Sequence, residues 1–149
     1  MMKIKKLDSN AILPTLGSPF AAGYDLYACK GCVIEPGQTV LVHTGIAMEI
    51  PEGFWGGIYA RSGLATKQGL RLANGVGVID SDYRGEIMIA LYNDSSFERE
   101  VKSGDRIAQL IFHQQCSLVP DENVEIWQVV DELSDSTRGE GGFGSTGTN

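Results

Sequence analysis

Long apolar runs are missing from this sequence. Nothing in it approaches the roughly 20 consecutive residues that a membrane span requires, so no membrane partner is expected. The opening "MMKIKKLDSN" has lysines but no apolar stretch behind them, which argues against a secretory signal and for a cytoplasmic protein. Lys3, Lys5 and Lys6 read as a solvated first strand. Histidine is scarce: His43 and His113 stand far apart, each in an apolar run and neither in an H-E-x-x-H spacing, so they read as strand residues rather than ligands. Of three cysteines, Cys29 and Cys32 form one C-x-x-C in "ACKGCV". Without a second pair or a nearby histidine a zinc site lacks ligands, and free buried thiols are expected. No G-x-x-x-x-G-K-[ST] is present, so any nucleotide is held without a P-loop. Positive charge is the lesser share, Lys+Arg 12 against Asp+Glu 19 for a net of -7, and a long phosphate backbone would be repelled. No nucleic-acid partner is expected, whereas a small phosphorylated ligand with a bound cation is compatible, because a local pocket can oppose the global charge.

Helical periodicity is nearly absent too. What the 149 residues hold instead, at 42% hydrophobic and 21% charged, is one domain's worth of short β-rich runs between turn signals. "TVLVHTGIAMEI" is followed by Pro51-Glu52-Gly53, then "FWGGIYA"; "RLA" by Asn74-Gly75, then "VGVID", "EIMIALY" and "RIAQLIFH". This spacing predicts an all-β sandwich, jelly roll or barrel. Asn74-Gly75 predicts a hairpin, since both residues tolerate positive φ. "LATKQ" at 64–68 predicts one helical turn, with Ser62 placed to cap it and Gly69 to end it. "IAQLIF" and "IMIALY" are apolar at consecutive positions, as in strands covered on both faces; in so small a domain the second cover is expected to be another subunit.

Five stretches look too specific for turns. "AAGYDLYA" sets Asp25 among aromatics, and "ARSGLA" puts Arg61, Ser62 and Gly63 at a strand end where successive N–H groups form an anion nest. "NGVGVIDSDYRGEI" carries Asn74, Gly77, Val78, Ile79, Asp80, Asp82 and Tyr83, and "GDRIAQLIF" holds Gln109 in an apolar strand. Finally, "RGEGGFGSTGTN" keeps Arg138 and Phe143 in a tail whose glycines cost too much entropy to order alone, as if it orders on a ligand. The first four also read as a turn aspartate, a surface corner, a solvated loop and a cross-strand hydrogen bond. The residues by themselves reach only an acidic, cation-assisted site for a phosphorylated small molecule.

Taken in order, the five stretches resemble the five motifs of the trimeric deoxyuridine triphosphatases (dUTPases), from residue 21 to residue 147. The resemblance implies a jelly-roll-like β-clip or distorted barrel over 1–133 and a flexible, glycine-rich C-terminal lid over 134–149. It implies a homotrimer whose sites take pieces from all three chains. The implied reaction is hydrolysis of dUTP to dUMP and pyrophosphate, which limits uracil in DNA and supplies dUMP for thymidylate synthesis. Asp80 would orient and deprotonate the water that attacks the α-phosphorus. Mg²⁺ would bridge the phosphates, with Asp25 touching it through water. Arg61, Ser62, Gly63 and Gln109 would hold phosphate, with Arg138 acting on transition-state charge. Base choice would lie in Asn74 to Ile79. Tyr83 would pack on the sugar against a 2′-hydroxyl, and Met88 would line the substrate. In the lid, Phe143 would stack on uracil, with Gly144 beside it and Ser145 and Thr146 donating to the outer phosphate. Arg84 and Glu86 read as structural, an ion pair between subunits. One departure is Ala60 where the second motif usually has proline, which should loosen the backbone slightly. Two other functions stand beside this one: a dCTP deaminase of the same wider fold, and a dUTPase scaffold used as a signalling or binding module.

Overall fold

The computed structural model describes residues 2–115 and 127–137. The chain divides into two compact units, Met1–Cys116 and Ser117–Asn149. In the second, residues 127–137 contain no strand or helix. In the first, strands β1 (Lys3–Lys6), β2 (Thr15–Leu16), β3 (Tyr24–Tyr27), β4 (Cys32–Ile34), β5 (Thr39–His43), β6 (Ile46–Glu49), β7 (Phe54–Tyr59), β8 (Leu70–Leu72), β9 (Gly77–Ile79), β10 (Met88–Asn93), β11 (Arg99–Val101) and β12 (Arg106–Gln114) form four sheets. A five-stranded sheet runs β2-β3-β12-β7-β9 and a three-stranded one β5-β10-β8; β1 pairs β6, and β11 pairs β4. All pairings are antiparallel. This is the expected all-β architecture, a β-clip of the jelly-roll kind.

The core forms where strand alternation turns one face inward. On β10, Ile89, Leu91 and Asn93 are buried while Met88 stays exposed and Ala90 and Tyr92 are half-buried. Ile89 and Leu91 meet Leu26, Ile34, Ile46, Leu70, Ile107 and Leu110, all essentially without exposure. Each such side chain contributes about 1.5–3 kcal/mol on leaving water. The described residues do not cover the sheet on both faces: Leu41 is 55% exposed on the face where it pairs with Ala90.

Two local expectations are corrected. Asn74-Gly75 does turn the chain, with Gly75 at φ 72° and Val76 N–H donating to Asn74 O at 2.8 Å. It is not a hairpin, because β8 pairs β10 while β9 pairs β7, so the turn passes the chain from one sheet to another. The helical turn exists at Leu64–Gln68, wound as a π-helix and ended by Gly69 at φ 70°. Ser62 does not cap it with its side chain; its carbonyl instead accepts from the Thr66 hydroxyl at 2.7 Å. Lys3–Lys6 form the exposed first strand as expected. Both histidines lie on strands: His113 stacks on Trp55 at 4.4 Å between ring centroids and bonds Tyr59 Oη at 3.0 Å. Cys29 is buried and Cys32 partly so, both free, with burial pushing each thiol above its ordinary range.

Candidate active site

The first group of polar side chains gathers on the five-stranded sheet. Asp25 on β3 sits opposite Gln109 on β12, which in turn sits opposite Tyr59 on β7. Asp25 is only 4% exposed. Arg61, just past the end of β7, brings Nε within 3.0 Å of Asp25 Oδ1, and Arg106, opening β12, donates from Nη1 to Oδ2 at 3.3 Å. Arg61 also donates to the Arg106 carbonyl at 3.2 Å, so β12 helps to set the Arg61 guanidinium. The Arg61 contact is an ion pair off the N–H axis: Oδ1 is buried and accepts no hydrogen bond. Ser62 and Gly63 follow, exposed, at the start of the helical turn, with open space where a Gly63 Cβ would stand. A cavity of about 230 Å³ opens beside Arg61 and Arg106.

The second group lies at the open edge of that sheet. β9 is the edge strand, paired only through Gly77, Val78 and Ile79 to Ile58, Gly57 and Gly56. Asn74, Val78, Ile79, Asp80, Tyr83 and Met88 together line a cavity of about 280 Å³. Asp80 and Asp82 also face a wider hollow of about 800 Å³ with Phe54, Trp55 and Arg84. After β9 the chain turns tightly, Tyr83 N–H donating to Asp80 O at 3.2 Å, and the Tyr83 hydroxyl donates to Glu86 O at 3.0 Å. Within one chain Arg84 donates to the Ser81 and Tyr83 carbonyls at 2.6 and 2.9 Å. Glu86 is taken by Gly45 N–H at 2.8 Å and His43 Nδ1 at 2.9 Å.

The sequence-predicted residues thus fall into two groups within one chain, Asp25, Arg61 and Gln109 in one and Asn74 to Met88 in the other. Arg138, Phe143, Gly144, Ser145 and Thr146 lie outside the described residues. Arg106 escaped the sequence reading, since only its place in "GDRIAQ" hints at it and its partner is 81 residues away. Among the described residues, no cluster of three or more His, Cys, Asp or Glu could hold a metal alone, and no helix is long and apolar enough to cross a membrane.

The all-β clip thus sets paired guanidinia beside one open cavity and the Asp80 carboxylate, just past the edge strand, beside another. The dUTPase family model matches residues 9–147, and the chain belongs to that family. The deoxyuridine 5'-triphosphate nucleotidohydrolase of Eremothecium gossypii is 47% identical over 146 residues, covering 98% of this chain and 90% of that one. That of Arabidopsis thaliana is 45% identical over 145 residues, covering 97% and 82%. Among solved structures, a variant of the Staphylococcus bacteriophage 80alpha dUTPase with dUpNHpp has a TM-score of 0.85 at 29% identity, covering 99% of both chains. The dUTPase of phage phi11 of S. aureus, for which the coordination of a structural Mg(II) ion is described, shares the fold at a TM-score of 0.77 and 24% identity, covering 91% and 99%. The protein is a hydrolase that converts dUTP to dUMP and pyrophosphate.

Proposed function

We propose that the two groups are complementary parts of a dUTP site assembled between subunits of a cytoplasmic homotrimer, with Asp80 as the general base. The carrying observation is the single cavity at the open edge of β9 on which Asn74, Val78, Ile79, Asp80, Tyr83 and Met88 converge. Edge-strand amides and carbonyls suit uracil, whose pairing edge reads acceptor, donor, acceptor. Cytosine would leave a group unpaired, and such a mismatch can be rejected by about 10⁴–10⁵. Tyr83 takes the sugar and leaves no room for a 2′-hydroxyl, and Met88 bounds the same space.

The Asp80 carboxylate holds a water and accepts its proton as the oxygen bonds to the α-phosphorus, while the bond to the α,β-bridging oxygen breaks and pyrophosphate departs. Arg61, Ser62, Gly63 and Gln109 grip the phosphates from another subunit. That division is supported by Arg61 and Asp80 facing different cavities of one chain. From residue 134 on, the chain acts as the lid: Arg138 on transition-state charge, Phe143 and Gly144 on the base, Ser145 and Thr146 on the outer phosphate.

The substrate would be the Mg²⁺ complex, the ion offsetting charge on the departing pyrophosphate when bound. Both Asp25 oxygens face guanidinia, so direct coordination does not suit them. Oδ1, which lacks a hydrogen bond, fits as acceptor for a water on a hard ion that keeps its hydration.

Pyrophosphate release from dUTP, dTTP, dCTP and UTP, measured in parallel, tests the selectivity; release from dUTP alone is expected. Asp80→Asn should bind dUTP yet turn over at least about 10³ more slowly, as loss of a general base requires. Near-normal turnover would remove Asp80 from the role.

A further inference from the structure

Glu86 is not among the residues assigned to substrate, yet its segment is fastened across the chain on every side. Gly45 N–H donates to Oε1 at 2.8 Å, and His43 Nδ1–H donates to Oε2 at 2.9 Å. The next residue is tied to the same stretch, Ile87 N–H to Ile46 O at 2.9 Å and the Thr44 hydroxyl to Ile87 O at 2.5 Å. Residues 43–46 and 86–87 therefore form one strap. The Tyr83 hydroxyl donates to Glu86 O, a carbonyl that cannot shift without straining the strap. Beneath the ring lies Gly85, where a Cβ would come within 2.6 Å of Tyr83 Cζ and overlap the hydroxyl. The ring lies between a fixed acceptor and a position where any side chain would push it aside.

We infer that Glu86, clamped by His43 and Gly45, is a positioning residue for discrimination between deoxyribonucleoside and ribonucleoside triphosphates. It fixes the carbonyl on which Tyr83 rests, and so fixes the ring that closes the space beside the sugar C2′. Glu86 lines the same cavity as Asn74, Val78 and Ile79, but its carboxylate is spent on His43 and Gly45. Its effect on the sugar wall runs through Tyr83, while the base is left to Asn74 to Ile79. Loosening the strap should therefore change the sugar preference more than the base preference. The inference rests on Tyr83 facing the sugar, as proposed above, and the test separates the two.

The experiment compares kcat/KM for dUTP and UTP in the wild-type chain and in Glu86→Ala, His43→Ala and Glu86→Gln, with Tyr83→Ala and Gly85→Ala as references. Thermal melting confirms that each variant is folded. His43, whose side chain is 53% exposed, offers the mildest removal. Glu86→Ala should lower the dUTP-over-UTP ratio about tenfold or more, within the range that one lost steric or apolar discrimination commands. His43→Ala should lose part of it. Glu86→Gln should restore most, since its amide can accept from Gly45 and donate to Nδ1 once His43 changes tautomer. The dUTP-over-dCTP ratio should hold in all three. If Tyr83→Ala and Gly85→Ala lower the dUTP-over-UTP ratio but Glu86→Ala and His43→Ala leave it unchanged, the strap has no positioning role while Tyr83 keeps its own. If Tyr83→Ala itself leaves the ratio unchanged, the placement of Tyr83 fails and the strap inference with it.

Discussion

Asp25 holds two guanidinia with one carboxylate, at 3.0 Å from Arg61 Nε and 3.3 Å from Arg106 Nη1, while only 4% exposed. The shared anion keeps two long side chains from spreading into solvent, and each is planar and always charged, suited to a phosphate's oxygens. Asp25→Ala would leave both cations without their buried partner. Removing one member of such a cluster should cost about 3 kcal/mol, the lower end for buried pairs because Arg106 is half exposed. For a chain of this size that is roughly 6–12 °C in Tm, and calorimetry beside the dUTP KM should show both stability and affinity falling. The sequence marked Asp25 and Arg61 but missed Arg106, since nothing local in "GDRIAQ" tells an arginine that bonds a distant carboxylate from one in water. The Glu86 partners within the chain were hidden for the same reason: His43 and Gly45 come from 43 and 41 residues upstream.

At the scale of elements, the turn after β10 shows how a polar group can organise a sheet end. Asn93 has no exposure; Nδ2 donates to Ile34 O at 2.8 Å and Phe97 O at 2.7 Å, and Oδ1 accepts from Ser95 N–H at 3.0 Å and the Ser95 hydroxyl at 2.7 Å. One amide thereby ties β10 to the strand β4 and closes its own turn. Asn93→Ala should cost about 2–4 kcal/mol, because buried carbonyls lose their donors. Chemical denaturation should show a lower midpoint with an unchanged slope if the native surface is otherwise kept. Most strands were legible as short β-rich runs, because alternation and turn residues act locally. Pairing was not: Asn74-Gly75 turns as its chemistry dictates, but whether the strands beside it pair depends on residues far away in the chain. Nor could the sequence say that the Ser62 side chain leaves the helical turn uncapped while its carbonyl accepts from Thr66.

The molecule as a whole leaves apolar side chains in water. Val78 is 60% exposed, Leu41 55% and Met88 39%, and all three line the same cavity at the edge of β9. Exposed apolar surface of this sort marks places that something else covers, which supports the proposed trimer with substrate at its seams. A chain lacking residues 138–149 should remain trimeric by light scattering and lose nearly all dUTP hydrolysis. Mixed with Asp80→Asn chains under conditions of proven subunit exchange, it should regain part of the activity, because some trimers then join an intact Asp80 to a neighbour's intact tail. No recovery would count against shared sites. In the sequence, consecutive apolar positions in "IAQLIF" and "IMIALY" point only to a second subunit, and the threefold count comes from the family resemblance alone.

Arg61 and Arg106 around Asp25 are a local pair of positive charges, with Glu100 and Asp105 on the same cavity, on a chain whose formal charge is -7. A polyanionic substrate is repelled from afar and attracted only within the last several ångströms, roughly the reach of charge at cellular salt. Ionic strength then acts in opposite senses on arrival and on grip: a little salt speeds association by muting the long-range repulsion, and more of it weakens the hold of the arginines. Turnover measured across ionic strength is therefore expected to peak between very dilute buffer and brine, and an affinity taken at one ionic strength should not carry over to another.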